Sequence, residues 1–199
     1  MSSATADLVG WSEAPSADFH LLGISGSLRK RAYSTALLEA IAEATPAARF
    51  DYADIGALPH FNQDIYDDAL PDAVDYFRRQ ILAADGLIVS STEYNHGMPG
   101  VLKNAFDWAS RPHNFSPLAG KPVLIMTSSP AFTGGVRAQY QLRETLISAL
   151  ARPVATPEIV VGAIGAKMVG DRFEDQTTIE FGRIGVAALF KEIMRARAV

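Results

Sequence analysis

Gly86-Leu87-Ile88-Val89-Ser90-Ser91 runs, without a charged residue, into Thr92-Glu93-Tyr94-Asn95-His96-Gly97-Met98-Pro99-Gly100, and the reading of this junction decides the fold. An unbroken apolar run of this length reads as a strand buried on both faces. It stops in polar, aromatic and glycine residues. A helix is then predicted from about Gly100 to Ser110, carrying Lys103-Asn104-Ala105-Phe106-Asp107-Trp108. A strand that ends this way before a helix is where open α/β sheets bind ligands. The junction offers no metal cluster and no obvious nucleophile. It does offer a planar aromatic, amide and carboxylate groups, and glycines that let a ligand approach the backbone. That chemistry suits a flat, polar-edged cofactor better than a bond-cleaving centre.

The same alternation extends in both directions. Phe19-His20-Leu21-Leu22-Gly23-Ile24 predicts a first buried strand, and Ser34 is read as the N-cap of a helix with Leu37, Leu38 and Ile41 on one face, ending near Pro46. Arg49 to Ile55 alternates weakly, as a second, more exposed strand does. Gly56 to Pro71 reads as a long loop, and Asp72 to Ala84 as a helix with Val74, Phe77, Ile81 and Leu82 at helical spacing. Val123 to Thr127 is the fourth strand. Gly134-Gly135 opens a helix carrying Leu142, Leu146, Ile147 and Leu150; Val154 or Ile159-Val160-Val161 supplies a fifth strand, and residues 177–196 a last helix. Strand–helix alternation repeated about five times implies a parallel sheet with helices on both faces, an α/β three-layer sandwich. Five such units suit the flavodoxin-like strand order 2-1-3-4-5 better than a six-stranded Rossmann sheet.

Composition narrows the function. At 199 residues the chain fits one domain, expected over 18–199, with residues 1–17, rich in Ser, Ala, Pro and acidic side chains, as a flexible tail. The formal net charge of -4 argues against a nucleic-acid partner. Cys is absent, which excludes disulfides, thiolate metal sites and cysteine catalysis, so any redox chemistry must come from a bound cofactor. His20, His60, His96 and His113 lack the spacing of a metal site. There is no signal-peptide pattern and no apolar run approaching the roughly 20 residues of a membrane helix, so a cytoplasmic protein is expected.

A second ligand element lies after the first strand. Ser25-Gly26-Ser27-Leu28-Arg29 leads to a helix start near Ser34-Thr35, where main-chain N–H groups and the helix dipole favour an anion. The hydroxyls of Ser25, Ser27, Ser34 and Thr35 can donate to it, and Arg29 offers a charged, bidentate contact. Neither a Walker A loop nor a GxGxxG turn is present. Alone, the loop is equally consistent with a tight turn before a capped helix. Taken with the junction after the third strand it flanks the switch point of the 2-1-3-4-5 order. A phosphate at one and a ring at the other describe flavin mononucleotide, FMN.

With these residues assembled, the chain resembles the NADPH-dependent FMN reductase family, flavodoxin-like flavoproteins that include quinone, azo-dye and chromate reductases. Gly26-Ser27-Leu28-Arg29 is similar to the family's phosphate loop. Glu93-Tyr94-Asn95 with Gly97, Pro99-Gly100, Leu102-Lys103-Asn104-Ala105 and Asp107-Trp108 is similar to its second motif. The chain departs from the pattern at Ala32, Ser34 and Thr92. The resemblance implies that Ser27, Arg29 and Ser34, helped by Thr35, hold the FMN phosphate. It implies that Thr92, Glu93, Tyr94 and Asn95 line the ribityl chain and ring, partly through backbone groups, and that the loop from Ser128 to Gly134 closes the other side. NADPH or NADH would be the electron donor, and a quinone, azo dye or metal oxyanion the acceptor. A homodimer or homotetramer is implied too, with Phe106 and Trp108 in a structural or interface role. An FMN-binding electron carrier and a non-catalytic binding protein on the same fold are the competing readings.

Overall fold

The computed structural model describes residues 18–198; the expected N-terminal tail lies outside the described residues. Its elements in chain order are β1 (Phe19–Ser25), α1 (Tyr33–Glu43), β2 (Ala48–Tyr52), α2 (Gln63–Asp68), α3 (Asp72–Ala83), β3 (Gly86–Ser91), α4 (Gly100–Ala109), β4 (Pro122–Ser128) and α5 (Val136–Ser148). They are followed by β5 (Arg152–Pro153), β6 (Ile159–Val161), β7 (Met168–Val169), β8 (Arg172–Phe173) and α6 (Gln176–Arg197).

The main sheet is parallel, in the order β2-β1-β3-β4-β5, with β6 also pairing with β4. The order is the predicted one, but the fifth position is shared. Arg152–Pro153 pairs with the start of β4 and Ile159–Val161 with its end; of the two expected segments Ile159–Val161 is a strand, whereas Val154 lies one residue past β5. Every residue of β3 and β4 is buried, as expected for strands covered by helices on both faces. Edge strand β2 is only partly covered. Register brings Ser25 level with Ser90, and Ser91 level with Thr127, so the carboxyl ends of β1, β3 and β4 form one rim of small hydroxyl residues.

Two apolar layers hold the sheet in place. Leu22, Ile24, Leu87, Val89, Val123 and Ile125 pack against α3, α4 and α5. Leu21, Ile88, Leu124 and Met126 pack on the other face against α1 and α6. Phe19 stacks on Phe190 of α6, ring centroids 4.1 Å apart. Phe106 and Trp108 are buried within this chain, at 1% and 0% exposure, so they serve the core and present no surface to a second subunit. Trp108 Nε1–H donates to the Pro59 carbonyl at 2.7 Å, and Phe61 meets the indole edge-on at 4.9 Å. Asn104 completes this clasp: its amide donates to the same carbonyl at 2.8 Å and its oxygen accepts the Phe61 N–H at 2.7 Å.

Several expectations are corrected. Ser34 is not the N-cap of α1; Ala32 occupies that position in extended conformation, and Ser34 turns inward to Ser25. The Gly56–Pro71 loop contains a 3-10 turn, Ile55–Ala57, and α2, capped by the Asn62 side chain, which accepts the Asp64 N–H at 2.9 Å. No residue of α2 is buried, so it leaves no hydrophobic period to read. Leu142 and Leu146 face the core, but Ile147 and Leu150 are exposed at 52% and 43%. The β7–β8 hairpin was not foreseen, because two-residue strands carry no usable alternation.

Candidate functional site

The loop from Gly26 to Ala32 leaves β1 pressed against β3. Gly26 N–H donates to the Ser90 carbonyl at 2.8 Å, and a Cβ at Gly26 would lie 2.8 Å from Ser91 Oγ. Only glycine allows that approach without displacing the rim. Behind the loop, Ser25 Oγ contacts Ser34 Oγ at 3.1 Å and Thr35 Oγ1 at 2.8 Å, which ties the first turn of α1 to the end of β1. No side chain caps α1 and no acidic residue stands in its first turn, so its N–H groups and dipole face the loop uncompensated. Arg29 is exposed at the mouth, its guanidinium carbon 5.9 Å from the Tyr33 ring centroid.

After β3 the chain makes a tight reversal. Tyr94 and Gly97 exchange two main-chain hydrogen bonds of 3.0 Å each, and between them Asn95 and His96 take left-handed conformations, φ 49° and 66°. Asn tolerates this region readily and His less so, at a strain of about 1–3 kcal/mol held by the surrounding structure. Gln141 of α5 supplies part of that hold, its side-chain oxygen accepting the Met98 N–H at 2.7 Å. Glu93 points away from the rim: its carboxylate accepts the N–H groups of Arg137 and Ala138 at 2.9 and 3.1 Å and caps α5. Its contribution to the rim is therefore main chain. The Thr92 carbonyl accepts from Ser91 Oγ at 2.9 Å.

These two segments meet. A cleft of about 120 Å³ joins Ser27, Arg29 and Ser34 to Thr92, Glu93 and Tyr94, with Ala32, Tyr33 and Pro130 completing its wall. Ser25 and Thr35 line the adjoining groove on the β2 side. Asn95 sits at the tip of the reversal, outside the cleft lining. Ser128, at the end of β4, is fully buried and outside the cleft lining; its hydroxyl belongs with those of Ser90 and Thr127 to the buried polar atoms that have no hydrogen-bond partner. Gly134 (φ 63°) is pressed on the β6 end, where a Cβ would fall 2.6 Å from Val160 Cγ1. Pro130, in the loop expected to close the site, does line the cleft, whereas Gln141 escaped sequence reasoning, for no local pattern distinguishes it from any other helix position. Among the described residues no group of three His, Cys, Asp or Glu side chains gathers to hold a metal.

An uncapped helix start with an arginine at one end and a narrow cleft edged by Thr92 to Tyr94 at the other fit FMN by charge and donor set. Together with the parallel 2-1-3-4-5 sheet they define a flavodoxin-like nucleotide-binding protein. The profile of the NADPH-dependent FMN reductase family matches residues 19–165, and the chain belongs to that family. It is 47% identical over 147 residues to an NAD(P)H-dependent FMN reductase of Pseudomonas aeruginosa, covering 73% of this chain and 79% of that protein. It is 38% identical over 160 residues to a quinone reductase of Escherichia coli K12, covering 78% and 85%. The solved structure of FerB, a flavoenzyme NAD(P)H:(acceptor) oxidoreductase of Paracoccus denitrificans, superposes with TM-score 0.81 at 29% identity, covering 89% of this chain and 98% of that one.

Proposed function

We infer that the protein is an FMN-dependent NAD(P)H oxidoreductase whose acceptor is a quinone. The observation that carries this reading is the cleft joining the Ser27–Arg29 loop to Thr92–Tyr94. FMN, when bound, would supply the redox chemistry, a hydride transfer from nicotinamide to flavin and the return of electrons to the acceptor. The protein's own groups bind and orient. Arg29, the Ser27 hydroxyl and the first turn of α1 hold the phosphate, with Ser25, Ser34 and Thr35 fixing that turn from behind. Main-chain groups from Thr92 to Asn95 edge the ring, and Ser128 to Gly134 form the opposite wall. No side chain is assigned as a proton donor.

The quinone follows from the named relatives; azo dyes and metal oxyanions are further acceptors to test. We also propose a cytoplasmic homodimer or homotetramer. No helix among the described residues is long and apolar enough to cross a membrane. The surface available for self-association lies on α5, where Val136, Tyr140 and Ile147 are exposed, next to Phe132, exposed at 92%. Anaerobic mixing of the FMN-loaded protein with NADPH or NADH should bleach the flavin, and a quinone should restore its colour over many turnovers. A flavin that stays oxidised would favour the electron-carrier reading. Light scattering on a sizing column measures the assembly.

A further inference from the structure

The larger opening at this rim is not the cleft. On the other side of the phosphate loop, between the carboxyl ends of β1 and β2, lies a groove of about 490 Å³ against about 120 Å³ for the cleft. Ser27 and Arg29 line both, so the two spaces meet at the anion site. Gly23 and Leu38 form an apolar floor. Tyr52 lies close over that floor, since a Cβ on Gly23 would fall 3.0 Å from a carbon of its ring. Its lining also includes two exposed carboxylates, Glu39 on α1 and Asp54 just after β2. One Asp54 oxygen accepts the Gly56 N–H at 3.0 Å, which fixes the side chain and leaves its second oxygen for a ligand. Burial raises the Tyr52 phenol above its ordinary value, aided by Glu39 and Glu43, so it stays a neutral donor.

The groove's lining combines an anion site, an aromatic and apolar surface, and two carboxylates. A 5′-nucleotide presents phosphate, base and ribose hydroxyls in a matching set. In Rossmann dinucleotide-binding units, whose glycine fingerprint this chain lacks, the acidic residue after the second strand accepts the ribose hydroxyls of a nucleotide whose phosphates lie on the first βα turn. Asp54 occupies that place in the β1-α1-β2 unit. A phosphate on the ribose 2′ position would meet Glu39 and Asp54 as like charges.

We propose that the β1–β2 groove is an adenosine subsite, taking the 5′-AMP half of FAD or of NADH and disfavouring the 2′-phosphorylated ribose of NADPH. It rests on FMN chemistry in the adjoining cleft, and its test separates the two claims. Protein stripped of flavin is titrated with FMN and FAD by fluorescence quenching. FMN-loaded protein is assayed with NADH and NADPH in the presence of 5′-AMP. Glu39→Arg and Asp54→Asn are compared with the parent; Asn at 54 keeps the Gly56 turn. If FAD is the source, FAD binds at least as tightly as FMN and each variant weakens FAD alone by about tenfold, the loss of one charged hydrogen bond. If NADH is the source, 5′-AMP competes with NADH, and the variants raise the NADH KM and lower that for NADPH. FAD binding a hundredfold weaker than FMN, together with no inhibition by 5′-AMP, overturns the subsite while leaving the reductase reading intact. Variants that shift FMN and FAD equally do the same. Failure of the parent to bind either flavin overturns both.

Discussion

The Glu93 carboxylate accepts the main-chain N–H of Arg137 at 2.9 Å, and through it the rim segment after β3 is fastened to the first turn of α5. Ala138 N–H makes the companion bond at 3.1 Å, so one half-buried acid satisfies two donors that the helix cannot. Charge at a helix start adds a favourable dipole interaction. Glu93→Ala should therefore destabilise the fold by about 1–3 kcal/mol, a fall in melting temperature of several degrees by calorimetry for a chain of this size. The bound flavin should loosen as well, because Thr92 and Tyr94 lose their anchor. Glu93→Gln, which keeps the acceptor without the charge, should recover part of the stability.

Arg29 stands in a different position. It is exposed at the cleft mouth, its guanidinium over the Tyr33 ring. Arg29→Ala should leave the melting temperature of flavin-free protein within about a degree, as surface changes do. It should raise the FMN dissociation constant by about ten- to a hundredfold, the loss of a charged contact to phosphate. Riboflavin, which lacks the phosphate, should bind both forms equally. Titration calorimetry with the two flavins checks both halves.

Gly134 tests the wall opposite. Its φ of 63°, with Val160 Cγ1 2.6 Å and Gly162 N 2.8 Å from a built Cβ, leaves no room for a side chain. Gly134→Ala should cost about 1–3 kcal/mol or more through strain and displacement. Flavin occupancy of the purified protein should drop in parallel, read from the ratio of its visible to ultraviolet absorbance.

The residues that were legible in the sequence are those whose role is fixed by local pattern. β3 and β4 are continuous apolar runs, and the glycine and arginine of the phosphate loop sit where a strand gives way to a helix. Strand order followed from that alternation. What escaped was decided across the chain. Ser34 reads as a cap because caps are short hydroxyl residues before apolar runs, yet its hydroxyl meets Ser25, nine positions earlier. Glu93 reads as a ring neighbour, yet its partners lie more than forty residues on, at Arg137 and Ala138. Trp108 reads as either structural or interfacial, and only Pro59 and Phe61, closing over it from more than forty residues earlier, decide for the structural role. The groove bounded by Glu39, Tyr52 and Asp54 is assembled from α1 and the end of β2 and has no contiguous signature.

Asp175 carries the acid sensitivity of the last helix. Its carboxylate caps α6, accepting the Thr178 N–H at 3.1 Å and the Thr178 hydroxyl, and it pairs with Lys167 at 2.6 Å. The Lys167 contact, then the Thr178 hydroxyl, hold its pKa below the ordinary 3.8. A carboxylate with a depressed folded-state pKa contributes stability that is present above the unfolded value and is lost as pH falls through the folded one. That contribution should thus be complete above about pH 5 and fade from about pH 4 downward. Asp175→Asn keeps the cap geometry but not the charge, and should be less stable at pH 7 by about 1 kcal/mol, combining a partly exposed ion pair with a weakened cap. The gap in melting temperature between parent and variant should narrow as pH drops below about 4, since the parent then loses what the variant never had. A gap that stays constant from pH 7 to pH 3 would show that Asp175 acts by shape alone.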